Sequence, residues 1–293
     1  MVKIKNILEF VLGNELIFNL FMRVRLYFSP MAVYIVNYHN TYGKNNQNFK
    51  RQIEFYLKHF DVIKFEDLET RLGAEAPPKK PALIFTFDDG SASNFNNAAG
   101  LLDQFNLLGL FLIPSNFVDA QSEPTIESEV ERAKRHSIYC ALEEEIADGR
   151  TRVSMNWNNI RELKKRGHSI GVHGKNHLRL SNNLSADALM EEIVESKLAI
   201  EQAIGESCNT FCWIGGERDA YCAEAARIIS ETGYEFGLMT CCGVVTNQTN
   251  RLQLHRFNIE SHFSVRQIRL VLGGFYEMLY WSKRAYVNKI SRV

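Results

Sequence analysis

The chain has 293 residues, enough for one large α/β barrel or two ordinary domains. Apolar residues make up 45% and charged residues 23%, the proportions of an ordinary folded protein, which exclude a disordered or fibrous chain. Lysine plus arginine equal aspartate plus glutamate at 34 each, so no net field draws the protein to a polyanion, and nucleic acid is not an expected partner.

Residues 1–28 set Lys3 and Lys5 before an apolar run, in outline like a secretory signal. Glu9, Asn14, Glu15 and Asn19 interrupt that run and no small-residue cleavage site follows, so residues 1–30 read as an amphipathic helical segment and the expected location is cytoplasmic. Residues 31–38 are β-branched and aromatic and predict a buried strand ending in His39-Asn40. Phe49, Ile53, Tyr56, Leu57 and Phe60 recur at helical spacing, which predicts a helix with one apolar face. After a proline-marked loop at 77–81, residues 82–87 predict a second buried strand running directly into Asp88-Asp89-Gly90.

The alternation continues with a helix over 94–105, a strand over 108–113, a polar and mostly helical surface excursion over 120–156, and a helix over 157–166. A strand over 167–173 ends on a histidine; then come helix 186–204, strand 210–214, helix 220–232, strands 234–239 and 253–259, and helix 265–272. Such sustained alternation predicts a parallel α/β barrel or doubly wound sheet, one domain over 31–274, followed by an aromatic and basic helix over 275–293. The six cysteines are too scattered for a disulfide framework; Cys208, Cys212 and Cys222 read as buried thiols or, alternatively, as a zinc site.

In parallel α/β folds the C-terminal strand ends gather on one face, which brings Asp88-Asp89 together with His173-x-x-x-His177. Two imidazoles and one carboxylate form a three-ligand set with a position left open, the arrangement of a hydrolytic metal site, and the second aspartate is free to act as a base. Taken singly, an Asp-Asp-Gly is also an ordinary turn and a spaced histidine pair a surface coincidence.

At these residues the sequence resembles the NodB-homology polysaccharide deacetylases, carbohydrate esterase family 4. Their TFDDG motif stands intact at Thr86-Phe87-Asp88-Asp89-Gly90. Their H-S/T-x-x-H motif stands at His173 to His177, with Gly174 where serine or threonine is usual. Tyr38-His39, Trp157 to Gly171, and Gly233-Tyr234 also match, so the resemblance spans roughly 31–260. It implies a distorted (β/α)7-type barrel with an N-terminal helical cap. It also implies Asp88 as general base, Asp89, His173 and His177 as ligands of a divalent metal, foremost Zn2+, and an N-acylated amino sugar as substrate.

The later motifs depart from the family pattern. The third aligns with Phe211-Cys212-Trp213-Ile214-Gly215-Gly216 and lacks both its arginine and its proline. Arg256 is a candidate to replace that arginine, and Trp213, Glu217 and Arg218 are candidate substrate contacts. The histidine that donates a proton to the leaving amine corresponds to His255, with His39 as the substitute. The expected activity is removal of an acetyl or formyl group from a nucleotide-linked, lipid-linked or oligosaccharide amino sugar in surface-glycan assembly. A carbohydrate-binding protein that has lost turnover is the alternative. Aromatic and basic residues over 275–293 also suit peripheral membrane association.

Overall fold

The computed structural model describes residues 13–43, 45–118, 125–150 and 152–293. Residues 1–12 of the expected N-terminal segment, and 120–124 and 151 of the expected excursion, lie outside the described residues. Helix α1 (Glu15–Phe28) is capped by Asn14, whose side chain accepts the Leu16 N–H, and buries Phe18 and Met22. Helix α2 (Asn45–His59) buries Phe49, Ile53 and Tyr56, whereas Leu57, expected on the same face, is exposed.

The strands are β1 (Val33–Tyr38), β2 (Asp61–Val62), β3 (Ala82–Phe87), β4 (Gly109–Ile113), β5 (Ser169–Val172), β6 (Thr210–Cys212), β7 (Phe236–Met239), β8 (Leu254–His255) and β9 (Phe257–Asn258). All pair in parallel, in the order β8-β7-β6-β5-β4-β3-β1-β9, with β2 on the lower half of β3. The first and last strands of that path are one extended segment divided at Arg256. Its first half pairs with β7, its second with β1, and so it closes the sheet into a barrel of seven staves. The expected single strand over 253–259 is split because it changes partner midway.

Strand alternation divides the core in two. Val33, Ile35, Ala82, Ile84, Leu110, Leu112, Leu238 and Leu254 form one buried cluster inside the barrel, closed below by Phe65, Leu68 and Leu72. Tyr34, Val36, Phe85, Phe87, Phe111 and Val172 belong to a second cluster beneath the helices. Both faces are thus covered, which is why the strands read as predominantly apolar runs. The excursion forms two helices, α3 (Ile126–Arg135) and α4 (Tyr139–Ala147), ahead of α5 (Trp157–Lys165).

Candidate active site

Following the interior column of β1, β3, β5 and β6 upward, the apolar layers give way to Asn37, Thr86, His173 and Cys212. Asp88 and Asp89 follow β3. Asp89 and Gly90 both have left-handed backbones, φ 69° and 63°, a conformation costly for a non-glycine residue and typical of functional turns. The turn gives the two adjacent carboxylates different surroundings.

Asp89 Oδ1 lies 3.4 Å from His173 Nε2 and 3.2 Å from His177 Nε2. The opposite ring nitrogens are committed: His173 Nδ1 donates to Cys212 O at 3.1 Å and His177 Nδ1 to His136 O at 2.7 Å. A carbonyl only accepts, so each Nδ1 carries the proton and each Nε2 presents a lone pair. Three acceptors therefore face one another, and Asp89 Oδ1 is buried without a hydrogen-bond partner. That donor set fits a divalent cation.

The loop carrying the histidines is held by a buried carboxylate. Glu192 accepts the backbone N–H groups of Lys175, Asn176 and Leu178 at 3.1, 2.8 and 3.2 Å. A Cβ on Gly174, which has φ 78°, would lie 2.5 Å from Glu192 Oε2. Glu192 and the left-handed backbone together disfavour the serine or threonine usual in the motif.

Asp88 is gripped by Arg256. Nη1 and Nη2 of the fully buried guanidinium donate to its two oxygens at 2.7 and 2.9 Å, and Asn37 Nδ2 donates to Oδ2 at 3.0 Å. Arg256 also donates to Asn37 Oδ1, Thr86 Oγ1 and Cys212 Sγ. Burial works to raise the Asp88 pKa, but the Arg256 guanidinium outweighs it and helps hold the carboxyl below its usual value. A second possible ligand group, Asp88, His173 and Cys212, suits a cation less well. Burial pushes the Cys212 thiol well up, leaving it neutral and committed to Arg256.

Residues 75–237, more than half of the chain, match the polysaccharide deacetylase family. The chain belongs to that family. YxkH of Bacillus subtilis (strain 168), whose name places it among the polysaccharide deacetylases, is 21% identical over 80% of this chain and 74% of its own length. Two solved structures share the fold. The deacetylase PplD of Streptococcus pyogenes, in complex with acetate, has a TM-score of 0.63 at 16% identity over 82% of this chain and 98% of that one. IcaB from Ammonifex degensii has a TM-score of 0.60 at 14% identity over 82% and 97%.

Within this deacetylase-family barrel the remaining expected residues divide. His255 does not join the mouth. Alternation turns Arg256 inward and His255 outward, where Nε2 meets Asn288 Oδ1 at 2.6 Å. Burial lowers the His255 pKa to about 4, and the ring expected from the sequence as proton donor lies on the outer wall, apart from Asp88, His173 and His177. His39 is at the mouth instead: Nε2 is 4.0 Å from Asp88 Oδ2, and Nδ1 is 3.2 Å from Glu260 Oε1. Burial would lower its pKa, but Glu260 and the two aspartates prevail and raise it to about 9.

Trp213 is buried against Tyr221, with ring centroids 5.0 Å apart, and offers no open face to a sugar. Glu217 pairs with Arg179 at 3.2 Å on the surface, and Arg218 stacks over Tyr286. Neither belongs to the cluster. Sequence reasoning missed Asn37, Glu192, Glu260 and the His136 carbonyl, which act through geometry that no motif marks. A cavity of about 640 Å³ opens beside His39, lined by Asn40, Glu143, Glu144, Glu260 and His262 among others.

Proposed function

We propose that this family member is a divalent-metal hydrolase that removes an N-acyl group, acetyl or formyl, from an amino sugar during surface-glycan assembly. The observation that carries the reading is the convergence of Asp89 Oδ1 and two histidine lone pairs beside a buried base locked by arginine. A cation held by Asp89, His173 and His177, foremost zinc, supplies Lewis acidity to the acyl carbonyl and acidifies a water.

The protein's own groups do the rest. Asp88, ionised and fixed in orientation by Arg256 and Asn37, takes the proton of the attacking water. His39, its charge supported by Glu260, gives a proton to the nitrogen as the C–N bond breaks, so a carboxylate and an amine leave. The cavity beside His39 is of a size for a saccharide unit. The reading places the sugar on a nucleotide, lipid or oligosaccharide carrier, and the protein in the cytoplasm or peripherally at a membrane. Supporting the peripheral placement, Leu16, Leu20, Val24, Tyr27 and Phe28 form an exposed stripe along α1. Among the described residues no helix is long and apolar enough to cross a membrane.

The test is metal analysis of the purified protein with assays of acetate and formate release from N-acyl sugar nucleotides, lipid-linked sugars and oligosaccharides. Zinc near one per chain, release of one acid, and loss of about a thousandfold or more in Asp88→Asn are expected. Bound metal without release from any substrate would mark a binding protein. A protein that takes up no metal even from zinc buffer would overturn the reading.

A further inference from the structure

On the outer wall of the barrel, a cavity of about 540 Å³ lies between the segment leading into β8 and the C-terminal helix α9, counting α6 (Ser196–Ile204), α7 (Ala223–Glu231), α8 (Val265–Leu270) and α9 (Trp281–Ile290) in chain order. None of the mouth residues lines it. Its floor is polar and built. Gln253 Nε2 donates to Asn288 O at 2.9 Å and to Ser291 Oγ at 2.8 Å, while His255 Nε2 reaches Asn288 Oδ1 at 2.6 Å. Gln253 and His255 are both more than nine-tenths buried, and His255 Nδ1 has no hydrogen-bond partner.

The walls are cationic. Arg284, Lys289 and Arg292 line the cavity, and no aspartate or glutamate does. Arg284 is anchored by donating to the Cys242 and Glu277 backbone carbonyls, and the Glu277 carboxylate near it is already paired with Arg25. Among the described residues neither Lys289 nor Arg292 has a carboxylate partner. Three like charges around a concave, hydrogen-bonding floor repel one another until an anion enters, and the concavity focuses their field. Guanidinium and ammonium groups match the several oxygens of a phosphate better than a single carboxylate.

We propose that this cavity is a binding site for a phosphate-bearing ligand, separate from the barrel mouth. Its volume falls in the range of small-molecule sites. Gln248 lines it and also a smaller cavity of about 180 Å³ that includes Phe28 at the exposed end of α1. The phosphate therefore belongs either to a soluble ester or to the headgroup of a lipid beside α1, and the two sources separate experimentally.

Calorimetric titration with pyrophosphate, and co-sedimentation with phosphatidylcholine vesicles with and without phosphatidylglycerol, are run on the full chain and on Lys289→Ala/Arg292→Ala. Both side chains are exposed and outside the catalytic cluster, so the variant folds and its deacylase turnover on a soluble substrate stays unchanged. Pyrophosphate binding that weakens by about tenfold or more in the variant supports the site with a soluble ligand. A preference for anionic vesicles alone, lost in the variant, supports it with a lipid headgroup. Absence of both in the wild-type chain, or binding that the variant leaves intact, overturns the proposal.

Discussion

At the residue scale, the proposed base Asp88 and the proposed acid His39 sit in environments that move their two pKa values apart. Asp88 is held below the usual carboxylate value, whereas His39 is raised to about 9. Between the two, Asp88 is ionised while His39 still carries its proton, the combination that general base and general acid require. Glu260 sustains the upper limit, since its carboxylate lies 3.2 Å from His39 Nδ1. In Glu260→Gln the charge that favours imidazolium is gone, so the His39 pKa falls. The alkaline limb of kcat/KM then moves to lower pH by about one unit or more. The acid limb, set by groups that Glu260 does not touch, stays in place. A pH profile with both limbs unmoved would remove His39 from the proton-donor role. His39→Ala should lower kcat by roughly a hundredfold or more in the same assay, with a smaller change in KM.

At the element scale, α1 shows one side to the protein and another to solvent. Phe18 and Met22 are buried, Glu15 pairs with Arg269 and Lys58, and Arg25 pairs with Glu277, so the helix is fixed on the barrel. Its opposite side carries Leu20 and Val24 in the exposed stripe. Leu20→Lys/Val24→Lys leaves the packed face untouched, so the circular dichroism and turnover on a soluble substrate should not change. Binding to phospholipid vesicles should drop by about tenfold or more, because two apolar anchors are replaced by hydrated charges. Equal partitioning of wild type and variant would discard the peripheral-membrane reading. The elements themselves were largely legible because doubly covered strands are predominantly apolar, as β1, β3 and β4 are. The 254–258 segment was legible as a strand but not as a closure, since a change of partner leaves no local mark. Nor was the facing of His255 and Arg256 legible: either could turn inward until the register with Met239 and Val36 is known. Glu192 gave no signal either, although Gly174 records its presence by omitting a side chain.

At the scale of the whole molecule, the proposed ligand set bridges two strands of the barrel. Asp89 follows β3, and His173 and His177 follow β5, with β4 between them in the sheet. The motifs made this grouping legible from the sequence because parallel strands carry their C-terminal ends to one rim; of the supporting shell Arg256 was a candidate from the sequence, whereas Asn37 and Glu192, which arrive from distant parts of the chain, were not legible. A cation there ties two staves together and relieves the repulsion among the three acceptors, so it stabilises the folded state by mass action. At a free metal concentration about a hundred times the dissociation constant, the gain is roughly 2.7 kcal/mol, equivalent to about 5 °C in Tm for a chain of this size. Protons compete for the same lone pairs. Burial disfavours a charged His177, yet Asp89 more than offsets it and raises the pKa of the ring. As pH falls through that raised value, a proton takes the place of the cation and metal affinity declines. The difference in Tm between zinc-loaded and chelator-stripped protein should therefore be largest at neutral to mildly alkaline pH and shrink steadily under acid conditions. Asp89→Asn should abolish the difference at every pH, since it removes the charge that both proton and metal share. Scanning calorimetry across pH on both proteins measures this, and a zinc-induced shift of equal size in Asp89→Asn would place the metal elsewhere.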